Sequence, residues 1–173
     1  MAAMNSPVRR IYYADANTFI KLFNYYPETI FRSLWWNLDE LVSASRLRTI
    51  QEVVHDVRDA RFDNWVEARR AMVDDIGKDQ AATDCLTEIM ADLPHFVDHS
   101  KTTDEADQPL VAVALTRNRQ TSTDRSLWNH VVLTEEGRRK PGKTRLRIPD
   151  ACAHYGVECV ALLGMMELEG WTF

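Results

Sequence analysis

The sequence predicts an α/β fold, a three-layer αβα sandwich around a mostly parallel sheet of about four to five strands. Three observations predict it. Short β-branched or aromatic runs alternate with segments of helical period. No tight hairpin signal such as Asn-Gly separates them, so the strands need crossover connections. The chain has 173 residues, 45% apolar and 27% charged, enough for one domain with a full core. No internal repeat or low-complexity tract divides it, so residues 1–173 read as a single domain.

Composition bounds the function classes. No apolar run reaches the roughly 18 residues of a bilayer span. The start, Met1 to Pro7, lacks the apolar core of a signal peptide, so the expectation is a cytoplasmic protein without a membrane role. Cys85, Cys152 and Cys159 have no paired spacing and read as reduced thiols. Cys152, His154 and Cys159 lack a second ligand pair, which argues against zinc. A net charge of −5 argues against a constitutive nucleic-acid coat protein. The charge is unevenly spread, however. Acids dominate residues 52 to 107, while Arg138, Arg139, Lys140, Lys143, Arg145 and Arg147 crowd one stretch. Such a patch can contact phosphates locally or can be a solvated loop, and both readings stand.

The first strand is Ile11-Tyr12-Tyr13, and a helical stripe of Phe19, Ile20, Leu22 and Phe23 follows, ending near Pro27. Asp15 therefore falls at the carboxyl end of a strand, where open α/β sheets bind ligands. It reads either as a helix N-cap or as a metal ligand. Residues 28–44 carry a second stripe through Ile30, Phe31, Leu34, Trp35, Leu38, Leu41 and Val42. Trp35 and Trp36 read as core and groove wall. Arg46-Leu47-Arg48 is a turn or brief strand. Thr49 and Glu52 form a capping-box pattern for a helix through Val53, Val54 and Val57, which leaves Asp56 without a local role.

Helical period continues from 61 to 76 up to Gly77, and again from about Gln80 to Pro94, as a helical insertion or cap over residues 61–94. His95 and His99 flank the next loop and read as solvated. Asp107 fits an N-cap and Pro109 the first turn of a small-residue helix. Residues 118–126 read as a polar loop. His130 to Thr134 is a buried strand, followed by Glu135 and Glu136. The basic stretch follows, with Pro141 and Gly142. Ile148 to Cys152 starts a short helix, and Glu158 to Leu162 is a final strand. The tail from Met165 to Phe173 is apolar enough to pack on the body or on a partner.

Asp15 and Glu136 thus follow strands, and Asp56 and Asp107 lie in or at the start of helices bordering the same sheet edge. Hard oxygen ligands of this kind suit Mg²⁺ or Mn²⁺. The segments Tyr13 to Ile20, Val53 to Val57, Ala106 to Ala114 and Val131 to Glu136 together resemble the successive motifs of PIN-like nuclease domains. Ile148-Pro149-Asp150-Ala151-Cys152 further resembles an uncharacterised bacterial PIN-like subfamily of similar length. The order and spacing of the motifs carry the likeness.

The resemblance implies a divalent-metal-dependent endoribonuclease, the toxin of a bacterial toxin–antitoxin pair of VapC type. Asp15 matches the first acid and Asp107 the third. Asp56 stands where Glu is more common, and Glu136 stands at a Thr-x-Asp position. These two exchanges of side-chain length move the oxygens that would meet a metal. Asp15, Asp107 and Glu136 would bind Mg²⁺ or Mn²⁺, with Asp56 closing the shell. Asp150 either completes the site or caps its helix. Asn17 and Thr18 lie beside the first acid, with helix capping as their local role. With them, Arg138, Arg139, Lys140, Lys143 and Arg145 would contact the substrate. The implied partners are RNA, an antitoxin protein and a second copy of the chain. Two other readings remain: an inactive scaffold that binds a protein through exposed Trp35, Trp36 and Trp171, and a nuclease acting on DNA with the same acids.

Overall fold

Strand β1 (Arg9–Ala14) is the middle of the molecule because both of its long edges are paired. On one side it meets β2 (Leu47–Ile50), with Tyr13 opposite Arg48. On the other it meets β4 (Trp128–Leu133), with Tyr13 opposite Val132. The edge strands are β3 (Val73–Asp74) beside β2 and β5 (Cys159–Val160) beside β4. The order is β3-β2-β1-β4-β5 and all pairs are parallel. The computed structural model describes residues 9–96, 105–123 and 127–173.

Parallel neighbours require crossovers, and helices supply them. Helices α1 (Ala16–Tyr25) and α2 (Arg32–Ser43) join β1 to β2. Next come α3 (Gln51–Asp56) and α4 (Ala60–Glu67), then β3. Helices α5 (Gln80–Asp92) and α6 (Asp107–Thr123) return the chain to β4. Helix α7 (Ile148–Tyr155) leads to β5, and α8 (Leu162–Leu168) follows. Right-handed crossovers put α1 and α2 on one face and α5, α6 and α7 on the other. The contacts agree: α1 meets α3 and α4, whereas α6 meets α5 and α7. The expected αβα sandwich is what the chain forms. No helix among the described residues is long and apolar enough to cross a membrane.

One layer is held by an aromatic cluster. Phe19 lies 4.8 Å from Phe62, and Phe23 lies 4.9 Å from Trp35 and 5.9 Å from Phe62, centroid to centroid. Phe62 is wholly buried, and cutting such a ring to alanine costs about 3–5 kcal/mol. The other layer rests on α6, where Leu110 to Thr116 are all buried. Small residues Ala112 and Ala114 let this helix lie close to the sheet.

Several local expectations are corrected. Thr49 is not a helix cap; it lies in β2, and its hydroxyl donates to the Ala14 carbonyl at 2.9 Å. Pairing to the central strand outcompetes the cap. The period from 61 to 76 is not one helix. It breaks after Glu67 into 3-10 turns at Arg70–Met72 and Ile76–Lys78, with β3 between them. Residues 61–94 therefore carry helices and also an edge strand. Residues 118–123 continue α6 rather than forming a loop, while 124–126 lie outside the described residues. Asn118 sits in that extension and exchanges two 2.8 Å hydrogen bonds with the backbone of His130. Trp35 is buried and Trp36 is exposed, so the exposed pair reduces to one. Trp171 is only half-buried and packs on the core.

Candidate active site

In a parallel sheet, chains that leave two adjacent strands toward opposite faces open a crevice at the carboxyl ends. Here that place lies between β1 and β4, since α1 leaves over one face and α7 over the other. Asp15 immediately follows β1, and Thr134-Glu135-Glu136 follows β4.

Asp15 is 4% exposed and serves as the N-cap of α1. Its Oδ1 accepts from the Thr18 backbone N–H at 2.8 Å. The Thr18 hydroxyl lies 2.8 Å from the same oxygen and 3.0 Å from the Leu133 carbonyl, its single proton between two acceptors. Oδ2 accepts from the Thr134 hydroxyl at 2.5 Å. That hydroxyl in turn accepts from the Glu136 backbone N–H at 3.1 Å. A continuous line therefore runs from the Glu136 backbone through Thr134 to Asp15. Burial pushes the Asp15 carboxyl above its ordinary pKa; the bonds from Thr134 and Thr18 pull it down, and the charge of Glu136 pushes it up again. The cap reading of Asp15 is thus realised, and it consumes one oxygen while the other faces the β4 loop.

Glu136 is half-buried, and its Oε2 accepts from the Ile148 N–H at 3.3 Å. Its neighbour Glu135 is an anchor. It pairs with Lys21 Nζ at 2.5 Å and accepts from the Leu162 N–H at 2.8 Å. Asp107 is the first residue of α6 rather than the residue before it. It faces a cavity of about 360 Å³ that Glu136, Arg139, Lys140, Lys143, Arg145, Leu146 and Arg147 also line. Arg145 reaches Glu105 at 3.1 Å and Asp107 at 3.8 Å. A second cavity of about 370 Å³ lies on the other side of Glu136, lined by Asn17, Ile20, Lys21, Tyr25, Glu135, Gly137 and Arg147.

Not every expected residue joins this strip. Asp56 is the last residue of α3 and is exposed. Glu52 lies in the first turn of α3, about 6 Å nearer along the helix axis to the carboxyl end of β2, with its Oε2 shut off from solvent. Asp150 realises its capping reading. Its Oδ2 accepts from the N–H groups of Arg147 at 3.0 Å and Arg139 at 2.9 Å, pinning both ends of the basic loop. Arg138 is exposed on that loop but does not line the cavity. Thr18 is buried against Asp15, so it supports the acid and does not face a ligand, whereas Asn17 is exposed. His95 sits in a 3-10 turn, and its carbonyl accepts from the Leu146 N–H at 2.8 Å. His99 lies outside the described residues.

The donor set suits a hard cation. The acids supply only oxygens, and one of them, Asp15, is buried with its carboxyl held above its ordinary pKa by desolvation. Among the described residues, no three His, Cys, Asp or Glu side chains converge on one point. A protein-only cage is therefore not present there. Mg²⁺ does not require one, because it commonly uses one or two carboxylates together with water and substrate phosphate.

Sequence reasoning missed Lys21, Ile20 and Tyr25 at the second cavity. Glu52 matches a capping box that does not form; it stands two residues after β2, with one oxygen shut off from solvent. Lys21 and Tyr25 follow Asn17 at helical spacing, on the face of α1 that carries Asn17 toward the crevice.

A family profile described as "Domain of unknown function (DUF4411)" matches residues 12–173, and the chain belongs to that family. No curated protein and no solved structure matches the chain.

Proposed function

We propose that this member of the family is a divalent-metal-dependent endoribonuclease, acting in the cytoplasm as the toxin of a toxin–antitoxin pair. One observation carries the reading: Asp15 and Glu136, from the ends of adjacent strands, are linked through Thr134 beside a cavity that pairs acids with a cationic wall. The resemblance of the successive motifs to PIN-like nucleases supports the same chemistry.

Asp15 and Glu136 would hold Mg²⁺ or Mn²⁺, with Asp107 across the cavity and Glu52 a better-placed fourth acid than Asp56. When bound, the ion supplies an activated water and neutralises charge on the leaving oxygen. The chain's own residues do the rest. Thr18 and Thr134 fix the Asp15 carboxylate. Glu136, steadied by the Ile148 N–H, would orient the attacking water, whose proton passes to solvent. Arg139, Lys140, Lys143, Arg145 and Arg147 hold the phosphates. Asp150 sets the shape of their loop.

The test is Mn²⁺-stimulated cleavage of RNA and DNA by the wild type and Asp15→Asn. The expected result is RNA cleavage by the wild type and none by the variant. Equal cleavage by both overturns the site, and cleavage of DNA alone overturns the substrate.

A second reading, a binding scaffold for an antitoxin or another copy of the chain, is favoured by two observations. Arg145 already lies 3.8 Å from Asp107, and Ile30 and Trp36 are 73% and 64% exposed. If millimolar Mn²⁺ leaves the melting temperature unchanged, this reading replaces the first.

A further inference from the structure

We propose that the cavity on the α1 side of Glu136 is a nucleobase subsite in which Tyr25 stacks on an unpaired base of the substrate strand. The inference rests on the nuclease reading and goes beyond it, because nothing in acid or phosphate chemistry calls for an aromatic ring.

The two cavities share Glu136 and Arg147 as lining residues, so they adjoin at the acid. Their walls differ. The 360 Å³ side is walled by guanidinium and ammonium groups, which suit phosphates. The 370 Å³ side has Tyr25 and Ile20, together with Asn17 and Lys21. Tyr25 is 72% exposed and Ile20 42%, which is costly apolar exposure unless something covers it. Asn17, Lys21 and Tyr25 are spaced four residues apart, so they form one ridge of α1 leading away from Asp15.

The ring is presented on a rigid support. Tyr25 is the last residue of α1. Arg61 donates to the Phe23 carbonyl at 2.9 Å and to the Asn24 side chain at 3.2 Å. Trp35 Nε1 donates to the Tyr26 carbonyl at 2.6 Å. These bonds fix the backbone on either side of Tyr25, and Lys21 stands one turn before it on the same ridge, so the exposed ring offers a base a stacking face within reach of an ammonium. Bases inside a duplex have no free face, so the occupant is an unpaired nucleotide.

The experiment is fluorescence anisotropy with a labelled single-stranded RNA and its duplex, in EDTA so that nothing is cleaved. Tyr25→Ala should raise the single-strand Kd about tenfold, in line with the loss of one stack. Tyr25→Phe should stay within about twofold of the wild type, and duplex binding should not change with either variant. Abasic sites scanned along the strand should weaken the wild type at one position and leave Tyr25→Ala insensitive there.

An unchanged single-strand Kd for Tyr25→Ala overturns the subsite, as does equal loss on the duplex. Loss of binding to a co-purifying protein with RNA affinity intact also overturns it, and makes the patch a protein contact. If the stacking result holds but the wild type cleaves no RNA, the subsite stands and the nuclease reading falls. If RNA is cleaved and Tyr25→Ala binds normally, only the subsite falls.

Discussion

Asp107 and Glu136 share one cavity with the basic loop, Asp15 is joined to Glu136 through Thr134, and the acids and the loop are built on opposite principles. Asp15 is fixed by Thr18 and Thr134, and both threonines are buried. The loop from Arg138 to Arg147 is exposed at nearly every position, and Asp150 and the His95 carbonyl tie it to the body. Chemistry that depends on sub-ångström placement sits on strand ends, where the backbone has no freedom. Charge that only has to lie near a phosphate sits on a loop. Mutations on the two sides should therefore have effects of different size and kind.

The sharpest contrast is catalytic. Asp15→Asn should lower Mn²⁺-dependent RNA cleavage by at least about 10²-fold, the scale of losing one group at the reacting centre. Replacing Asp56 by Asn should leave the rate within about threefold, because that side chain is exposed at the far end of α3. Initial rates on a labelled RNA check both, and a collapse in the Asp56 variant would break the distinction between the two acids.

The buried side should also respond to pH. His130 in β4 is 5% exposed, and burial, helped by Arg117 and Arg48, pushes its pKa down to about 4. The native state therefore resists a proton that the unfolded state accepts near pH 6.5. Stability falls as pH drops through this window, by about 3 kcal/mol between pH 7 and pH 4. Urea unfolding across that range should show the loss, and His130→Leu should reduce the slope. An unchanged slope in the variant would assign the acid sensitivity elsewhere.

Thr134→Val tests the link between the acids. It removes a buried hydroxyl that donates to Asp15 and accepts from Glu136. The stability cost should be about 1–3 kcal/mol, and kcat should fall more than KM rises. Loss of KM alone would make Thr134 a substrate contact. The smallest effects belong to the loop. Lys140→Ala and Lys143→Ala should not move the melting temperature. Each should weaken RNA binding and flatten its dependence on log salt by about 0.7 for a single strand.

The same division explains what could be read before the fold was known. β1, β4 and the acids after them were legible because a run such as His130 to Leu133 carries its own signal. β3 was not, since Val73 and Asp74 become a strand only because β2 offers an open edge. Thr49 and Glu52 matched a capping box letter for letter, yet a buried bond to Ala14 won. Reading Thr49 as a cap accounts for Glu52 locally and leaves Asp56 as the unexplained acid, whereas in the fold Glu52 is half-buried and Asp56 exposed. Asn118 to Thr123 looked like a loop because its side chains are polar, but Asn118 spends that polarity on the backbone of β4. In the α2 stripe, Trp35 shares its face with Leu34, Leu38 and Leu41, and Trp36 falls on the opposite side of the helix. Tyr25 had no sequence signal at all: its meaning comes from where α1 ends.

Mn²⁺ binding measured by isothermal titration calorimetry tests the central claim most directly. Asp15→Asn and Glu136→Gln should each abolish the binding isotherm, while Asp150→Asn and Asp56→Asn should retain it. An Asp15→Asn protein that binds Mn²⁺ as the wild type does would contradict the account.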